Sequence, residues 1–279
     1  MKILVTGGIG YIGSHILAQL KNKKYSIYIL DNLINSKMST YKKLKKLNPD
    51  IKELKVIDLK NKKKIFNYFK TRKFNIVLHL AGYKSVSESF ERLDDYYKNN
   101  ICGFINLIEA MQKFKVEKLI FSSSATVYAP KINSAIKETD NLYINSVYGF
   151  TKKTIEDLIY LKNKTFKLNY IILRYFNPAG CHISGLIGEE NIKVPNNLYP
   201  FIGSIIQKKQ KYLKIFGNNY KTLDGTGARD YIHIEDLAES HLKSIHLLLK
   251  KKNVKEILNI GYGKPTTVKS VVHSFIIPI

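Results

Sequence analysis

A glycine-rich turn near the start of the chain stands between a short apolar run and a segment with helical periodicity. The apolar run is Lys2 to Val5, and the turn carries glycines at Gly7, Gly10 and Gly13. Between a strand and a helix, glycines at this spacing permit a tight turn, close approach of the backbone to a pyrophosphate, and close packing of the helix on the strand. A diphosphate would then face the free N–H groups of the helix N-terminus. The segment therefore predicts a dinucleotide-binding turn.

A carboxylate follows the second apolar run of the chain. The run Ser26 to Leu30 is typical of a buried strand, and Asp31 comes directly after it, 18 residues beyond Gly13. At that place a carboxylate accepts hydrogen bonds from a ribose diol and repels a 2′-phosphate. We therefore expect NAD rather than NADP as the cofactor, although Asp31 could also simply cap the turn that it forms with Asn32 and Leu33.

Short apolar runs continue to alternate with helical segments along most of the chain. The predicted strands are Lys55 to Ile57, Asn75 to Leu80, Lys118 to Ser122 and Asn169 to Arg174, and the predicted helices cover Asn61 to Lys70, about residues 92 to 114, and Ser146 to Leu161. This alternation is typical of an α/β fold with a doubly wound parallel sheet that is covered on both faces. The pattern loosens between Asn177 and Pro200. We therefore expect a main domain over residues 1–176 and a smaller C-terminal lobe over residues 177–279, with part of the chain returning to the main sheet.

The chain is strongly basic, with 46 Lys and Arg residues against 22 Asp and Glu and a formal net charge of +24. Such a balance is compatible with a nucleic-acid-binding protein. Only four of the basic residues are arginines, namely Arg72, Arg92, Arg174 and Arg229, whereas recognition of bases and phosphates relies heavily on arginine. The lysines are spread in runs along the chain, so a compositional bias on solvated helix faces explains the charge better than a specific nucleic-acid site.

The cellular compartment follows from what the sequence lacks. No apolar stretch reaches the roughly 18 residues of a membrane span. The two cysteines, Cys102 and Cys181, provide no framework of disulfides. The polar, glycine-bearing segment from Thr6 onward leaves no room for the apolar region of a signal peptide. We expect a cytoplasmic protein without a membrane partner.

Tyr148 and Lys152 lie four residues apart in a predicted helix and therefore on the same helix face. A free phenol is a weak base at neutral pH because its pKa is about 10. A neighbouring ammonium group and an oxidised nicotinamide ring favour the phenolate, and we expect them to lower the pKa of Tyr148 toward the working range. The strand that ends in Ser122 to Ser124 brings hydroxyl groups to the same edge of the sheet. Tyr148, Lys152 and Ser124 are therefore the candidate catalytic residues.

Several further segments follow one another in a fixed order along the chain. They are Thr6 to Gly13, Asp31 with Asn32, Ser122 to Tyr128, the Tyr148/Lys152 pair, Arg174 to Pro178, Pro195 to Leu198, and Asp224 to His233. In residues, order and spacing they resemble the UDP-glucose 4-epimerases of the extended short-chain dehydrogenase/reductase family. The resemblance runs from Met1 to about Phe275. It implies a Rossmann-type domain that binds NAD and a smaller lobe that binds the substrate.

The resemblance also implies the ligand contacts. The residues expected at NAD are Gly7, Gly10, Tyr11, Ile12, Gly13, Asp31, Asn32, Asn35, Ser36, Asp58, Leu59, Leu80, Ala81, Gly82, Lys84, Asn99, Tyr148, Lys152 and Phe176. The residues expected at the nucleotide sugar are Ser124, Tyr148, Asn177, Asn197, Lys214, Ile215, Phe216 and Arg229, with Lys214 to Phe216 in a strand. Arg229 suits the diphosphate because a guanidinium group pairs with phosphate oxygens, unless it forms an internal ion pair with Asp224 or Asp230.

By the resemblance, the protein is an isomerase of galactose metabolism that acts on a UDP-hexose and pairs as a homodimer through its long helices. Tyr148 would take the proton of the sugar 4-hydroxyl while hydride leaves C4 for NAD, which gives a 4-keto sugar. After the sugar turns over, hydride returns to the opposite face, and NAD stays bound throughout. No metal is expected, because His79 and His233 lie in apolar surroundings without further ligands nearby, a pattern typical of core histidines.

Other hypotheses remain open from the sequence. A nucleotide-sugar 4,6-dehydratase would need an acid/base pair after the serine-bearing strand, where this chain has Ala125 and Thr126. Family members usually continue well beyond Phe275 with further nucleotide contacts, which favours a second hypothesis, an inactive relative that still binds NAD. A basic nucleic-acid-binding protein is the third hypothesis.

Overall fold

The centre of the protein is a seven-stranded sheet. The computed structural model describes residues 1–129, 131, 135–190 and 197–276. The strands of both sheets in the described residues, in chain order, are β1 (Lys2–Thr6), β2 (Ser26–Asp31), β3 (Ile51–Val56), β4 (Ile76–His79), β5 (Lys118–Ser124), β6 (Asn169–Tyr175), β7 (Asn177–Ala179), β8 (Ala228–His233), β9 (Lys255–Ile260) and β10 (Pro265–Thr267). The main sheet has the order β3-β2-β1-β4-β5-β6-β9 with every neighbouring pair parallel. The predicted doubly wound sheet is confirmed, and its strand order reverses between β1 and β4, where such sheets form a ligand crevice.

Helices cover both faces of the sheet. They are α1 (Tyr11–Gln19), α2 (Met38–Leu47), α3 (Lys62–Arg72), α4 (Val86–Glu91), α5 (Leu93–Tyr96), α6 (Gly103–Lys113), α7 (Val147–Lys162), α8 (Leu198–Ile206), α9 (Ile234–Lys250) and α10 (Val268–Ile276). A π-helical segment, Tyr97–Cys102, joins α5 to α6, and a 3₁₀ turn, Ala125–Val127, follows β5. The prediction of one regular helix over about residues 92 to 114 is wrong, because the backbone widens into the π turn where Asn100 bonds to the loop after β4.

Successive residues of the central strands enter two different cores. Ile3 and Val5 of β1 belong to a core shared with α1, α2 and α9, whereas Leu4 belongs to a core shared with α3, α6 and α7. In β5 the same alternation sends Ile120 to the first core and Phe121 to the second. Burial on both faces explains why these strands are apolar at consecutive positions.

Two expected strands differ from the structure. The strand predicted at Lys55 to Ile57 lies earlier, as β3, and only Ile51 within it is buried. In this edge strand Lys52 and Lys55 are exposed and the half-buried Glu53 pairs with Arg72 of α3, and these charged residues weaken the apolar signal. The strand predicted at Lys214 to Phe216 is wrong, since in the described part of the chain these exposed residues have no neighbouring strand to pair with.

After β6 the chain forms a small three-stranded sheet and then returns to the main one. The small sheet has the order β10-β8-β7, with β7 parallel and β10 antiparallel to β8. Between its strands, α9 packs against α1 and β9 pairs with β6. Among the described residues, no helix has both the length and the apolar character to cross a membrane. Pro195 and Asn196 of the expected motif, and residues 277–279, lie outside the described residues.

Candidate functional site

The turn between β1 and α1 is built from glycines in close contact. Gly7 has a φ of 70°, and a Cβ on it would lie 2.7 Å from the backbone nitrogen of Ala81. A Cβ on Gly13 would lie 2.5 Å from the carbonyl oxygen of Gly7. Gly10, the N-cap of α1, has no side chain that could cover the first N–H groups of the helix. The turn therefore leaves a helix N-terminus accessible to a diphosphate, which fits a dinucleotide.

Asp31 lies beside this turn with only 7% of its surface exposed. Its carboxylate accepts hydrogen bonds from the N–H of Leu33 at 3.0 Å, from the hydroxyl of Ser36 at 2.9 Å, and from the N–H of Ile9 at 3.4 Å. Burial raises the pKa of Asp31, and these hydrogen bonds oppose the rise. The carboxylate thus caps its own turn and also contacts the glycine-rich turn, so the two sequence interpretations of Asp31 are compatible.

The other residues expected at the adenosine side lie on neighbouring loops. Asn32 donates a hydrogen bond to Asp58 at 3.4 Å. Leu59 is buried against Gly103 at the start of α6, and Asn35 is exposed. Tyr11 and Ile12, half-buried, begin α1 directly after the glycine turn. The structure therefore gathers these residues along the carboxyl ends of β1, β2 and β3.

The loop Leu80 to Lys84 follows β4 and closes the other side of the crevice. The N–H of Tyr83 donates to Asn100 Oδ1 at 2.8 Å, and Asn100 Nδ2 donates to the Tyr83 carbonyl and to Thr151 Oγ1, both at 3.1 Å. Asn99 Nδ2 donates to Asn100 Oδ1 at 3.0 Å. The buried Asn100 therefore ties this loop, the π segment and α7 together.

Tyr148, Lys152 and Ser124 come together at the carboxyl end of β5. The Ser146 side chain caps α7, which places Tyr148 in the first turn of the helix. Lys152 Nζ donates to the carbonyl oxygen of Ser122 at 2.7 Å and lies 5.7 Å from the centre of the Tyr148 ring. Tyr148 and Lys152 are 9% and 5% exposed. A phenol and an ammonium group therefore share one nearly dry site.

Burial changes the acidity of both groups. Burial raises the pKa of Tyr148 to about 12, and the hydrogen bond with Ser124 lowers it by a smaller amount. Burial lowers the pKa of Lys152 to about 8. The expected lowering of the Tyr148 pKa is therefore not produced by the residues of this chain, because desolvation of the phenolate outweighs the groups that favour it. A further positive charge beside the phenol is required, and an oxidised nicotinamide ring fits that requirement.

The two histidines that the sequence assigned to a core differ from each other. His79 is buried, its Nδ1 lies 2.7 Å from Thr6 Oγ1, and burial lowers its pKa to about 3. His233 is exposed and accepts the N–H of Glu235 at the N-terminus of α9, so the prediction of apolar surroundings is wrong there, because the ring acts as a helix cap. Within the described residues, no group of three or more His, Cys, Asp or Glu side chains could hold a metal ion.

The residues expected at the nucleotide sugar lie on a more open side. Half-buried Asn177 donates to the carbonyl oxygen of Asp230 at 3.1 Å. Arg229 is exposed and donates only to the carbonyl of Ala228, at 2.8 Å, among the described residues. The alternative ion pair with Asp224 or Asp230 is not formed there, since both carboxylates accept hydrogen bonds from other groups. The guanidinium group of Arg229 is thus available to a ligand.

Phe176, expected at NAD, and the segment Lys214 to Phe216, expected at the nucleotide sugar, differ in how well they are packed. Phe176, half-buried, packs so close to Gly261 that a Cβ there would lie 3.0 Å from its ring. Lys214 to Phe216 form an exposed, irregular segment, in which Phe216 is 82% exposed. The structure therefore does not bring Lys214 to Phe216 into packed contact with the catalytic pair.

One carboxylate joins the cofactor side to the substrate side. Glu189 Oε1 accepts hydrogen bonds from Lys84 Nζ at 2.8 Å and from Asn197 Nδ2 at 3.1 Å. Nearby, the Tyr11 hydroxyl donates to the carbonyl of Gly180 at 2.7 Å, and burial raises the pKa of this phenol. These contacts connect α1 and the loop after β4 with the segment that leads to α8.

Three residues of the site were missed by sequence reasoning. Asn100 could have been found as a polar residue on the apolar side of a predicted helix. Glu156 lies four residues after Lys152, and that spacing was a usable signal. Glu189 had no signal, because Lys84, its ion-pair partner, is 105 residues away in the chain.

Comparison with known proteins identifies relatives along nearly the whole chain. The family model described as the NAD dependent epimerase/dehydratase family matches residues 3–261. The chain is 40% identical over 280 residues to UDP-glucose 4-epimerase 2 of Arabidopsis thaliana, a match that covers 98% of this chain and 79% of the plant protein. It is 41% identical over 276 residues to UDP-glucose 4-epimerase of Bacillus subtilis, covering 99% of this chain and 81% of the bacterial one.

A solved structure with two ligands is also similar. It is UDP-glucose-4-epimerase from Stenotrophomonas maltophila with bound NAD and formylated UDP-arabinopyranose, with a TM-score of 0.94 and 36% identity. The match covers 99% of this chain and 82% of that one.

Proposed function

Because the chain belongs to the NAD dependent epimerase/dehydratase family, we propose that it catalyses NAD-dependent epimerisation at C4 of a UDP-hexose, the interconversion of UDP-galactose and UDP-glucose. Relatives of that name, and a similar structure that holds NAD and a UDP-sugar, support this activity. The observation that carries the proposal is the buried Tyr148 and Lys152 pair at the carboxyl end of β5, next to a glycine turn suited to a diphosphate.

The residues after β5 favour epimerisation over dehydration. A 4,6-dehydratase needs groups that exchange protons at C5 and C6 of the sugar. Ala125 and Thr126 occupy the 3₁₀ turn at that place, and neither carries a carboxyl group. Epimerisation exchanges protons and hydride only at C4 and its oxygen, so it does not require a carboxyl group in this turn.

In the proposed reaction the sugar loses one hydride and one proton and later regains both. NAD, when bound, supplies the acceptor for the C4 hydride and a positively charged ring beside the phenol. Tyr148 Oη accepts the proton of the sugar 4-hydroxyl, while the C4–H bond breaks and its electron pair leaves with the hydride, which produces a ketone at C4. The hydride then returns to the opposite face of C4, and Tyr148 returns the proton to the ketone oxygen. Tyr148 therefore holds one proton for the lifetime of the ketone.

Lys152 and Ser124 support this proton transfer. With a pKa of about 8, Lys152 is mostly protonated at pH 7, and its charge favours the phenolate of Tyr148. The Ser124 hydroxyl orients the phenol and the 4-oxygen of the sugar. At neutral pH the phenol, with a pKa of about 12, is protonated in the absence of ligands. The positive charge of a bound nicotinamide ring would favour loss of this proton to solvent and leave a phenolate ready to accept the proton of the 4-hydroxyl.

NAD is proposed to lie across the carboxyl ends of β1 and β4. The diphosphate would meet the N–H groups at the start of α1, and Asp31 would accept hydrogen bonds from the adenosine ribose. The loop from Leu80 to Lys84 and Asn99 would line the path of the cofactor to Tyr148. Phe176 would face the nicotinamide end.

The nucleotide sugar is proposed to bind on the side of the C-terminal lobe, over residues 177–279. Arg229 anchors the diphosphate, since its guanidinium group has no carboxylate partner within the described residues. Asn177 and Asn197 meet the sugar nucleotide at the rim, and the exposed segment Lys214 to Phe216 provides further contacts. Firm binding of the diphosphate leaves the hexose free to present either face.

Homodimer formation and a cytoplasmic location are further parts of the proposal. Exposed apolar side chains on α4, α5 and α7 support pairing of two chains through these helices: Phe90, Leu93, Phe150 and Tyr160 are 59%, 41%, 44% and 58% exposed. Both cysteines are exposed and unpaired, which supports a reducing compartment such as the cytoplasm.

Turnover of UDP-galactose to UDP-glucose without added NADH tests the proposed function. We expect the purified protein to carry out this conversion, and the Tyr148→Phe variant to retain NAD but to lose at least about a hundredfold in rate, because proton transfer contributes that much or more. Released nucleotide in heat-denatured samples measures the NAD content. A fully active Tyr148→Phe protein would refute the assignment of the base.

A further inference from the structure

Glu156 and Arg174 form a buried ion pair behind the catalytic residues. Their side chains are 4% and 3% exposed, and Arg174 donates to both carboxylate oxygens, from Nη2 at 2.7 Å and from Nε at 3.0 Å. The hydroxyl of Ser123 donates to Glu156 Oε1 at 2.5 Å, and Arg174 also donates to the hydroxyl of Tyr128 at 2.7 Å. Three hydrogen-bond donors stabilise this buried carboxylate. Loss of any of these partners leaves a buried charge without full compensation in surroundings that solvate it poorly.

Three residues of one stripe of α7 contact the end of β5. Tyr148, Lys152 and Glu156 repeat every four residues and therefore form one stripe along α7. Consecutive residues of β5 bind the members of this stripe: the Ser124 hydroxyl binds Tyr148, the Ser122 carbonyl binds Lys152, and the Ser123 hydroxyl binds Glu156. Since β6 holds Glu156 through Arg174, α7 cannot slide or rotate on β5 without breaking these bonds.

Glu156 also provides a charge close to Lys152. The groups that face Lys152 are Tyr148 and Glu156 on its own helix, Phe121 on β5 and His79 on β4, while Arg174 and Tyr175 on β6 face Glu156 and Tyr148. His79 is neutral, because burial lowers its pKa to about 3. Among these groups, Glu156 is the carboxylate, and its charge opposes the desolvation that lowers the pKa of Lys152.

We propose that Glu156 is a positioning residue for the epimerisation: held by Arg174 and Ser123, it fixes α7 on β5 so that Tyr148 and Lys152 face the substrate, and it keeps Lys152 in its charged form. Glu156 acts through these two residues and does not touch the sugar. This inference rests on the proposed function, in which Tyr148 exchanges a proton with the 4-hydroxyl.

The pH profile of kcat in the Glu156→Gln variant tests the electrostatic part. Removing the carboxylate and leaving Arg174 unpaired both make a charged Lys152 less stable, so we expect the alkaline limb of the profile to move toward neutral pH by about one unit. We also expect kcat to fall by about tenfold or more while KM for the UDP-sugar stays within about twofold. Glu239→Gln, at an exposed position of α9, is the charge-matched control and keeps the wild-type profile. An unmoved alkaline limb in Glu156→Gln overturns the proposal.

The Ser123→Ala variant tests the positional part and does not depend on removing a buried charge. We expect faster hydrogen exchange of the amides of α7, together with a several-fold lower kcat and an unmoved alkaline limb. Wild-type exchange and wild-type kcat in this variant would overturn the positional part. The hydrogen-exchange measurement also separates this inference from the proposed function. An inactive wild-type protein would contradict epimerisation. The rate of amide hydrogen exchange in α7 of Ser123→Ala would still decide whether the contact between Ser123 and Glu156 holds the helix.

Discussion

The acidity of Tyr148 and Lys152 depends on their surroundings as well as on their spacing along the helix. Their separation by four residues places them on one helix face, yet burial raises the pKa of the phenol to about 12 and lowers that of the ammonium group to about 8. The two groups become an effective acid/base pair only when a further positive charge enters the site. We interpret this as a built-in order of events, in which proton transfer waits for the complete complex.

Replacement of Lys152 by methionine tests this view at the scale of the residue. Lys152→Met keeps a side chain of similar length but removes the charge that favours the phenolate, so we expect kcat at pH 7 to fall by about a hundredfold or more. The lost rate should recover partly as the pH rises, because the phenol of Tyr148 then loses its proton to solvent more readily and a larger fraction of it is phenolate. Lys153→Met removes a neighbouring lysine of α7 that pairs with Asp157 outside the site, and it should retain the wild-type profile. Equal losses in both variants would contradict the role of Lys152.

Among the secondary-structure elements, the cofactor site depends on how α1 packs against the glycine turn. Gly13 allows the helix to approach the carbonyl of Gly7 so closely that no Cβ fits between them. The requirement is steric and concerns the backbone, which has no freedom to move aside without displacing β1. The cofactor site therefore depends on the distance between two elements as much as on any side chain.

Gly13→Ala should displace α1 from the turn. A Cβ placed 2.5 Å from the Gly7 oxygen forces the backbone apart, and we expect the free energy of unfolding to fall by about 1–3 kcal/mol and the bound NAD to be lost. Gly203→Ala is the matched control, because a Cβ at that position of α8 meets no atom of the described residues within 4 Å. There we expect unchanged NAD content and a gain of about 0.5–1 kcal/mol, since alanine favours a helix. Urea unfolding and NAD content measure both; a stable, NAD-loaded Gly13→Ala protein would disprove the steric argument.

The elements differ in how far their sequences predict them. Strands buried on both faces, such as β1 and β5, are apolar at consecutive positions and were predictable, as was α7 with its Ser146 cap. The edge strand β3 was misplaced because its exposed lysines, Lys52 and Lys55, interrupt the apolar pattern. The π segment was missed because the bond that it makes, from Asn100 to the loop after β4, joins distant parts of the chain. The Glu189 contacts were missed for the same reason.

At the scale of the whole molecule, three buried histidines in different parts of the fold, His15, His79 and His241, set its tolerance of acid. His79 lies in β4, and His241 of α9 is paired with the Tyr175 hydroxyl at 2.5 Å. Burial lowers the pKa of His79 to about 3 and that of His241 to about 4, and it also lowers the pKa of His15 from the ordinary value of 6.5. The folded protein therefore keeps these rings neutral over a pH range in which the unfolded chain binds protons.

Stability should consequently fall as the pH is lowered from about 6.5 toward 4. The unfolded state binds up to three more protons than the folded state in this window, and each histidine contributes a slope of up to about 1.4 kcal/mol per pH unit. Urea unfolding between pH 7 and pH 4.5 measures the slope. We expect His241→Phe to reduce it by about a third, and His246→Gln, at an exposed position of the same helix, to leave it unchanged. A stability that does not vary over this window would contradict the neutral, buried state of the rings.

UDP-galactose that carries deuterium at C4 shows whether the hydride leaves and re-enters the same carbon of the same sugar. We expect the UDP-glucose formed to retain the deuterium at C4 nearly completely, even in ordinary water and in the presence of added unlabelled NADH, as measured by mass spectrometry and NMR. UDP-glucose that carries hydrogen at C4 would contradict this expectation, because the hydride would then have exchanged with solvent or with free cofactor.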